Sequence, residues 1–314
     1  MTPIVTLTVN PAVDISTSVS NVVPGRKLRC GAPVYEPGGG GINVSRVIAR
    51  LGGRSLAVHS AGGHTGCLLG DLLDQENVPH CPVPITEPTR ESFMVYEEAT
   101  GQQYRFGMPG PTIGEAEWER LLDILTALGP ETGYLVGSGA LAPGVPEDFY
   151  ARMARIGQRI GARVIVDTSG EALRRAVREP LYLLKPNYQE FIDLVGREPR
   201  DESEQEALSL DLLRRSGCEV ILLSLGAAGI LLVTREGAER LRAPVVPIRS
   251  KVGAGDSTVA GVVLSLAQGR PIRDAALYGL AAGTAAVMTP GSELCRREDV
   301  ERLHRILLAG EAAE

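Results

Sequence analysis

The sequence contains little of what nucleic-acid-binding and membrane proteins need. Only 4% of its 314 residues are aromatic, and acidic residues outnumber basic ones by 38 to 32, which gives a formal net charge of −6. Such a chain lacks both the positive field and the stacking side chains of a dedicated nucleic-acid binder. It also has no apolar run of about 18 residues, the length that a membrane-spanning helix requires. We therefore expect neither a nucleic acid nor a membrane as a partner.

Cysteine and histidine are too few and too scattered for a metal-ligating framework. The five cysteines are widely spaced with no pair at C-x-x-C spacing, and the four histidines show no metal-ligand spacing. Residues 3–9 have the pattern of a strand rather than the charged and apolar regions of a signal peptide. We expect a cytoplasmic protein without a disulfide framework or a zinc site.

Glycine, in contrast, is abundant, and lysine is scarce. The 37 glycines indicate a backbone that turns sharply or approaches a ligand closely. Of the 32 cationic residues only Lys27, Lys185 and Lys251 are lysine. Because a compact ammonium and a planar guanidinium are not interchangeable, these positions are candidates for a specific role, although any one of them could equally be an ordinary surface residue.

Short apolar runs alternate with segments of helical periodicity through most of the chain. Strands are predicted at 4–9, 55–60, 134–136, 163–166, 182–184, 220–224 and 230–233, and helices at 42–51, 67–76, 115–128, 146–160, 189–195 and 204–214. After Gly255 the pattern is almost entirely helical as far as Leu308. This alternation predicts an α/β protein in which helices cover both faces of a mostly parallel sheet.

Two polar-rich segments, about 15–35 and 90–107, interrupt that rhythm with alternating patterns typical of hairpin strands. We expect them to form a small antiparallel sheet, a lid inserted in a single domain that spans residues 1–314. A small open sheet has exposed edges, which can pair with another copy of the chain. The sequence therefore also predicts a homodimer formed through the lid.

The strongest functional motif is Gly253-Ala254-Gly255-Asp256, at the start of an apolar helix. Backbone N–H groups at a helix start attract anions. A carboxylate is poorly suited to binding a phosphate there, but it is well placed to take a proton from a hydroxyl that attacks a phosphoryl group. The alternative is an ordinary N-terminal turn in which Asp256 only stabilises the helix dipole.

A run of four glycines, Gly38–Gly41, precedes Asn43 and a second predicted helix. Without side chains the backbone can approach a polyhydroxylated ligand, and the Asn43 amide can donate to and accept from hydroxyls. The same run could serve as a hinge. Near it in the predicted fold are one acidic residue that could bind sugar hydroxyls and three cationic residues that could bind a phosphate, each of which could instead be solvated: Asp14, Lys27, Arg90 and Arg105.

Two motifs follow predicted strands in the second half of the chain. Lys185-Pro186-Asn187 with Glu190 suits nucleotide phosphates and hydrated Mg²⁺, but Asn187 and Glu190 also have the spacing of a capping box. The stretch Ser224–Gly229 is a glycine turn that could simply connect a hairpin.

Three common phosphate-binding or hydrolase motifs are missing or incomplete. The sequence has no G-x-x-x-x-G-K-[ST] loop and no G-x-S-x-G elbow, and Gly137-Ser138-Gly139 lacks the third glycine of a dinucleotide fingerprint. A P-loop kinase is thereby excluded, and an α/β hydrolase or a dinucleotide-binding fold is disfavoured.

Taken together, the motifs resemble the ribokinase-like PfkB family of sugar kinases over essentially the whole chain. The segments that carry the resemblance are Asn10-Pro11-Ala12-Val13-Asp14, residues 38–43, Lys185-Pro186-Asn187-x-x-Glu190 and Gly253-Ala254-Gly255-Asp256. The resemblance implies a three-layer α/β/α domain with a small β-sheet lid. It is strongest to the phosphosugar branch, whose members phosphorylate fructose 6-phosphate, fructose 1-phosphate or tagatose 6-phosphate.

The resemblance also assigns roles to individual residues. It makes Asp256 the catalytic base and Gly253, Ala254 and Gly255 the anion hole. The sugar phosphate would be bound by Asp14, Gly39, Asn43 and Arg90, and Lys27 would reach the phosphates across the lid; Arg105 is added to this set from the reading of the residues alone. ATP would be bound by Lys185, Asn187, Ser224, Gly226 and Gly229. Glu190 would hold Mg²⁺ through water, and a K⁺ ion would be held near Ser250, Val252, Ala286 and Gly291.

We therefore expect an ATP- and Mg²⁺-dependent kinase that converts fructose 6-phosphate to fructose 1,6-bisphosphate. Kinases of fructose 1-phosphate or tagatose 6-phosphate are the alternatives within the branch, because Ala140 stands where the pattern usually has a serine hydroxyl. A non-catalytic sensor of sugar phosphates or nucleotides is the alternative of another class.

Overall fold

The computed structural model describes residues 2–311. Its strands are β1 (Ile4–Thr8), β2 (Ala12–Val19), β3 (Val34–Gly38), β4 (Leu56–Ala61), β5 (His80–Pro84), β6 (Arg90–Glu97), β7 (Gln103–Gly107), β8 (Tyr134–Ser138), β9 (Arg163–Asp167), β10 (Leu181–Leu184), β11 (Cys218–Ser224), β12 (Ile230–Thr234) and β13 (Gly237–Leu241). Its helices are α1 (Gly40–Arg50), α2 (Gly63–Gln75), α3 (Glu115–Thr126), α4 (Phe149–Ile160), α5 (Gly170–Ala176), α6 (Tyr188–Val195), α7 (Glu202–Arg215), α8 (Ala254–Ala267), α9 (Ile272–Ala286) and α10 (Arg297–Glu311).

The main sheet has nine strands in the order β13-β12-β11-β10-β9-β8-β1-β4-β5. The seven strands from β11 to β5 in that order pair in parallel, and β12 and β13 are antiparallel. The central strands are fully buried, as in β1 and β8, because both faces of the sheet are covered. The predicted α/β fold with a mostly parallel sheet is confirmed.

Two hydrophobic cores lie on opposite faces of this sheet. One contains Trp118 of α3, Phe149 of α4 and Phe191 of α6. The other contains Val47 of α1 and long buried stretches of α8 and α9. These last two helices are apolar nearly all round, since they are packed on several sides. The result is the predicted three-layer α/β/α arrangement.

A second sheet of four strands has the order β3-β2-β6-β7. The prediction that it would be antiparallel throughout is wrong at its centre, where β2 pairs with β6 in parallel. The reason is the connection: α1, β4, α2 and β5 lie between β3 and β6, so β6 does not return through a tight turn. The segment predicted at 15–35 also differs, since residues 20–33 contain no strand and β2 already begins at Ala12.

Three short elements escaped the sequence analysis. β5 lies at the edge of the main sheet and contains two prolines, which an edge position tolerates. β13 is half-buried at the opposite edge, and α5 has only seven residues. Periodicity is least informative for elements this short or this exposed.

No helix in the described range 2–311 is both long and apolar enough to cross a membrane.

Candidate active site

The loop before α8 ends with Gly253 in a left-handed conformation, at φ 70°, and this residue caps the helix. A side chain at this position would be strained by its backbone and would also collide with Leu294. The first N–H groups of any α-helix have no acceptor within the helix, so those at the start of α8 point out of it at the positive end of the dipole. The anion site predicted from residues 253–255 has the required backbone form.

Asp256 lies in the first turn of α8 and is held by side chains from two other elements. Asn43 Nδ2, from α1, donates to Asp256 Oδ2 at 2.9 Å. Ser138 Oγ, at the end of β8, donates to Asp256 Oδ1 at 3.3 Å. Both carboxylate oxygens are therefore fixed by donors that come from distant parts of the chain.

The environment of Asp256 suits a group that must accept a proton near neutral pH. Burial, reinforced by the negative charge of Asp167, raises the pKa of Asp256 to about 6. The hydrogen bonds from Asn43 and Ser138 and the positive charge of Lys185 limit that rise. At pH 7 the carboxylate is mainly ionised but is more basic than an exposed aspartate.

Lys185 is buried beside the start of α8. Its Nζ forms an ion pair with Asp167 Oδ1 at 3.1 Å, and it lies 3.3 Å from the point that a Cβ on Gly255 would occupy. Lys185 follows β10 and Asp167 ends β9, and these two strands are parallel neighbours. The ammonium is therefore held at the carboxyl edge of the sheet, next to the helix start, which is where ligands bind in open α/β sheets.

The glycine run 38–41 is required by close contacts rather than by flexibility. Gly39 has φ 114° and precedes α1, so a side chain would be strained there. A Cβ on Gly40 would collide with the Ser138 hydroxyl and would lie 2.7 Å from the Gly139 nitrogen. The two elements that hold Asp256 therefore approach each other through glycine.

Asp14 and Arg90 lie on adjacent strands of the second sheet, close to that glycine run. Arg90 donates to the carbonyls of Met108 (3.0 Å) and Asn10 (3.2 Å), while its buried Nε has no partner among the described residues. Burial raises the pKa of Asp14 to about 6, opposed by the charges of nearby cationic side chains, Arg46, Arg90 and Arg105. Asp14, Arg90 and Arg105 are thus brought together at one place.

Lys27 stands apart from the other predicted phosphate ligands. It lies on the exposed stretch between β2 and β3, and no hydrogen bond or ion pair joins it to Asp14 or Arg90 in residues 2–311. The structure therefore does not bring Lys27 together with the other predicted phosphate ligands.

A cavity of about 1200 Å³ opens beside Lys185 and the start of α8. Its walls include all five residues predicted to bind ATP, namely Lys185, Asn187, Ser224, Gly226 and Gly229, together with Lys251, Ala254 and Gly255. An apolar side is formed by Val245, Val246 and Ile248. A cavity with an apolar wall at one side and a lysine and a helix start at the other fits a nucleotide.

The two motifs that follow β10 and lie after β11 also have purely local structural roles. Asn187 and Glu190 form a reciprocal capping box, in which each side chain accepts from the other residue's N–H, at 2.9 and 2.8 Å. The glycine turn after Ser224 connects the antiparallel strands β11 and β12. Asn187 and the glycine turn nevertheless line the cavity, so local structure and ligand contact are compatible there, whereas Glu190 is not among the lining residues.

The segments predicted to hold K⁺ lie against each other. The N–H groups of Arg249 and Ser250 donate to the Val287 carbonyl, at 2.7 and 3.3 Å. Gly291, on the following loop, lies beside Met94 of the second sheet. Ser250, Val252 and Ala286 are thus neighbours, although the Ala286 carbonyl also accepts from Thr289 Oγ1 at 2.8 Å.

Sequence reasoning missed two residues of the site, Ser138 and Asp167. Each is a polar residue at the last position of a parallel β-strand, and the carboxyl ends of such strands meet at one edge of the sheet. Their position at the strand ends is the sequence signal that could have identified them as site residues. The partners of these residues, Asp256 and Lys185, are 118 and 18 residues away and were not evident before the fold was known.

Comparison with known proteins agrees with the geometry. The family model described as pfkB family carbohydrate kinase matches residues 4–299. ATP-dependent 6-phosphofructokinase isozyme 2 of Mycobacterium tuberculosis is 45% identical over 311 residues, which cover 99% of this chain and 91% of that protein. The 1-phosphofructokinase of Bacillus subtilis is 31% identical over 300 residues, covering 96% of this chain and 97% of that one.

Solved structures give the same relationship. Phosphofructokinase-2 from Escherichia coli in complex with fructose-6-phosphate superposes with a TM-score of 0.92 at 38% identity, covering 98% of this chain and 100% of that chain. The same enzyme in complex with potassium gives a TM-score of 0.93 at 39% identity, with the same coverage. The resemblance inferred from the sequence motifs is thereby confirmed, and the chain belongs to the pfkB family of carbohydrate kinases.

Proposed function

We propose that this protein transfers the γ-phosphoryl group of ATP to the C1 hydroxyl of fructose 6-phosphate, with Asp256 as the general base. The observation that carries the proposal is the position of Asp256. It directly follows Ala254 and Gly255, which line the cavity beside Lys185, and it is held by Ser138 and by Asn43 of α1, the helix that follows the glycine run beside Asp14. A base placed between a nucleotide and a sugar can take the hydroxyl proton while the oxygen attacks.

In the proposed reaction, each bond that forms is matched by one that breaks. As Asp256 takes the proton, the C1 oxygen bonds to the γ-phosphorus, and the bond to the β,γ-bridging oxygen breaks to release ADP. The N–H groups of Gly253, Ala254 and Gly255 stabilise the charge that develops on the transferred group. Lys185, Asn187, Ser224, Gly226 and Gly229 hold the nucleotide in the cavity.

We propose that the site binds two cations, Mg²⁺ and K⁺. Glu190 has one carboxylate oxygen bound to the Asn187 N–H, which leaves the other for a water on Mg²⁺. Burial, together with the nearby Asp167 charge, raises the pKa of Glu190. Mg²⁺ supplies charge neutralisation at the phosphates when it is bound. The adjacency of Ser250, Val252 and Ala286 supports a K⁺ site that Gly291 would complete, as does the potassium complex of the Escherichia coli relative.

We assign the sugar phosphate to the second sheet together with the adjoining glycine run and the start of α1. Asp14, Gly39 and Asn43 bind hydroxyls, while Arg90, Arg105 and Lys27 bind the 6-phosphate. The unpartnered buried Nε of Arg90 supports a phosphate here, as does the fructose-6-phosphate complex of the relative. The second sheet would act as a lid that excludes water and suppresses ATP hydrolysis.

Replacement of the base tests the proposal most simply. Asp256→Asn keeps the shape of the side chain but removes the proton acceptor, so we expect kcat to fall by about 10²- to 10⁴-fold with the fold intact. Asp274→Asn is the matched control, since Asp274 is also in the first turn of a helix. It should leave kcat unchanged. Near-normal turnover by Asp256→Asn in a coupled ATP assay would exclude Asp256 as the base.

The pH dependence follows from the same carboxylate. Because burial raises the pKa of Asp256 to about 6, the base is protonated and inactive below that pH. We expect kcat at saturating sugar to decrease as the pH falls through about 6. An exposed aspartate, with a pKa of about 3.9, would leave kcat constant down to pH 5, and that flat profile would contradict the assignment.

The phosphate site is tested at Arg90. A charge-assisted hydrogen bond contributes about 1.5–3 kcal/mol, so Arg90→Ala should raise KM for fructose 6-phosphate by about tenfold or more. The control is Arg120→Ala on the exposed side of α3, which should leave KM unchanged. If Arg90→Ala leaves KM for fructose 6-phosphate unchanged, the assignment of the 6-phosphate to this site is wrong.

We further propose a homodimer formed through the second sheet. Apolar side chains are exposed on this sheet, with Val34 and Phe106 at 56% and 50%, and Tyr35, Phe93 and Tyr96 near 40%. Such a patch is characteristic of an interaction surface. Light scattering should give twice the chain mass, and Phe106→Glu should convert the dimer to a monomer. Leu308→Glu, an exposed apolar residue on α10, should not, and a monomeric wild-type protein would contradict the proposal.

A further inference from the structure

Arg46, on α1, is the largest of the fully buried side chains in the part of the chain that the structure describes. Burying a guanidinium is costly, and a well-packed apolar residue of the same volume is often at least as stabilising. A buried arginine therefore calls for an explanation beyond stability. It lies one helical turn after Asn43, whose amide holds the proposed base.

Every N–H of the Arg46 guanidinium has an acceptor. Nε donates at 2.9 Å to Oε2 of Glu76, the residue directly after α2. Nη2 donates to Glu76 as well, and at 3.3 Å to Oε1 of Glu36, which lies on β3. Nη1 donates to the Pro37 carbonyl at 2.8 Å and to Asn43 Oδ1 at 3.3 Å. The carboxylates of Glu36 and Glu76 are sufficient to neutralise the Arg46 charge. The bond to Asn43 is therefore not needed for charge neutralisation.

That additional bond determines which way the Asn43 amide faces. With Oδ1 taken by Arg46, the NH₂ group is the end that reaches Asp256 Oδ2. Rotating the amide by half a turn would set its NH₂ group against the guanidinium and its oxygen against the carboxylate. Both contacts would then be repulsive, so Arg46 and Asp256 together select one orientation.

We propose that Arg46 is a positioning residue for phosphoryl transfer, which locks the Asn43 amide so that its NH₂ group holds the Asp256 carboxylate in line with the attacking hydroxyl. This inference rests on the proposed function of Asp256. Arg46 does not touch a substrate, and it acts through Asn43. The ion pair with Glu36 extends the same group to Ser292, whose Oγ donates to Glu36 Oε2 at 2.7 Å, on the loop that follows α9.

The Arg46 charge also acts on Asp14, where it is the first of the charges that lower the pKa of that carboxyl. The other charged groups facing Asp14 are Arg90, Arg105 and Glu36. Changes at Arg46 can therefore alter sugar binding as well. For this reason kcat at saturating sugar, rather than KM, isolates the contact with Asn43.

A double-mutant cycle tests the proposal. Asn43→Ala should lower kcat by about tenfold or more, and Arg46→Lys by about fivefold, because an ammonium keeps the charge but cannot reach Asn43 and both carboxylates together. If Arg46 acts through Asn43, the double variant should have the kcat of Asn43→Ala within about twofold. An unchanged kcat in Arg46→Lys, or losses that multiply in the double variant, would overturn the proposal.

Two variants separate positioning from folding. Arg50→Lys is the matched control, since Arg50 lies one turn further along α1, contacts Glu76 at 3.5 Å and should leave kcat unchanged. If Arg46→Lys does not fold, Arg46→Met combined with Glu76→Gln removes both charges of the pair. The cycle is then repeated with Glu76→Gln as its reference, and the same two outcomes decide it.

The assay distinguishes this inference from the proposed function. The wild-type protein is first assayed with several sugars, and the cycle is run with the best of them. If fructose 6-phosphate is not that sugar, the substrate assignment fails while the cycle remains readable. If no sugar is phosphorylated, both proposals fail.

Discussion

The hydrogen bond between Asn43 and Asp256 is the interaction on which the rest of the site depends. It joins the start of α8, where backbone N–H groups and the nucleotide-sized cavity lie, to α1, which carries the glycine run next to the second sheet. A carboxylate in this partly buried position is stable only if donors satisfy its oxygens, and Asn43 and Ser138 are those donors. The same burial that makes the donors necessary raises the pKa of Asp256 to a value useful for a base.

Much of this site could be predicted from the sequence, because its strongest signals are local. The run from Gly253 to Asp256 combines a helix start with a carboxylate, and both features can be seen within a few residues. The residues predicted to bind ATP line one cavity because of the order of the strands in the sheet. They follow neighbouring strands, whose carboxyl ends lie at one edge of the sheet.

What could not be predicted depends on pairs that are distant in the sequence. Asp167 and Lys185 meet because β9 and β10 are neighbours, and Arg46 is buried because Glu36 and Glu76 come from two other elements. Alone, each of these side chains resembles a solvated surface residue. The parallel pairing of β2 and β6 was missed for a similar reason, since alternation indicates strands but does not give their direction.

The central claim, that the site phosphorylates a sugar phosphate, is tested most directly by one kinetic comparison. The rate constant kcat/KM is measured with ATP and Mg²⁺ for fructose 6-phosphate, fructose 1-phosphate, tagatose 6-phosphate, ribose and adenosine. We predict that fructose 6-phosphate exceeds ribose and adenosine by about tenfold or more, as a site with cationic groups for the phosphate requires, and that it is also preferred over the other two sugar phosphates. A preference for ribose or adenosine would contradict the account.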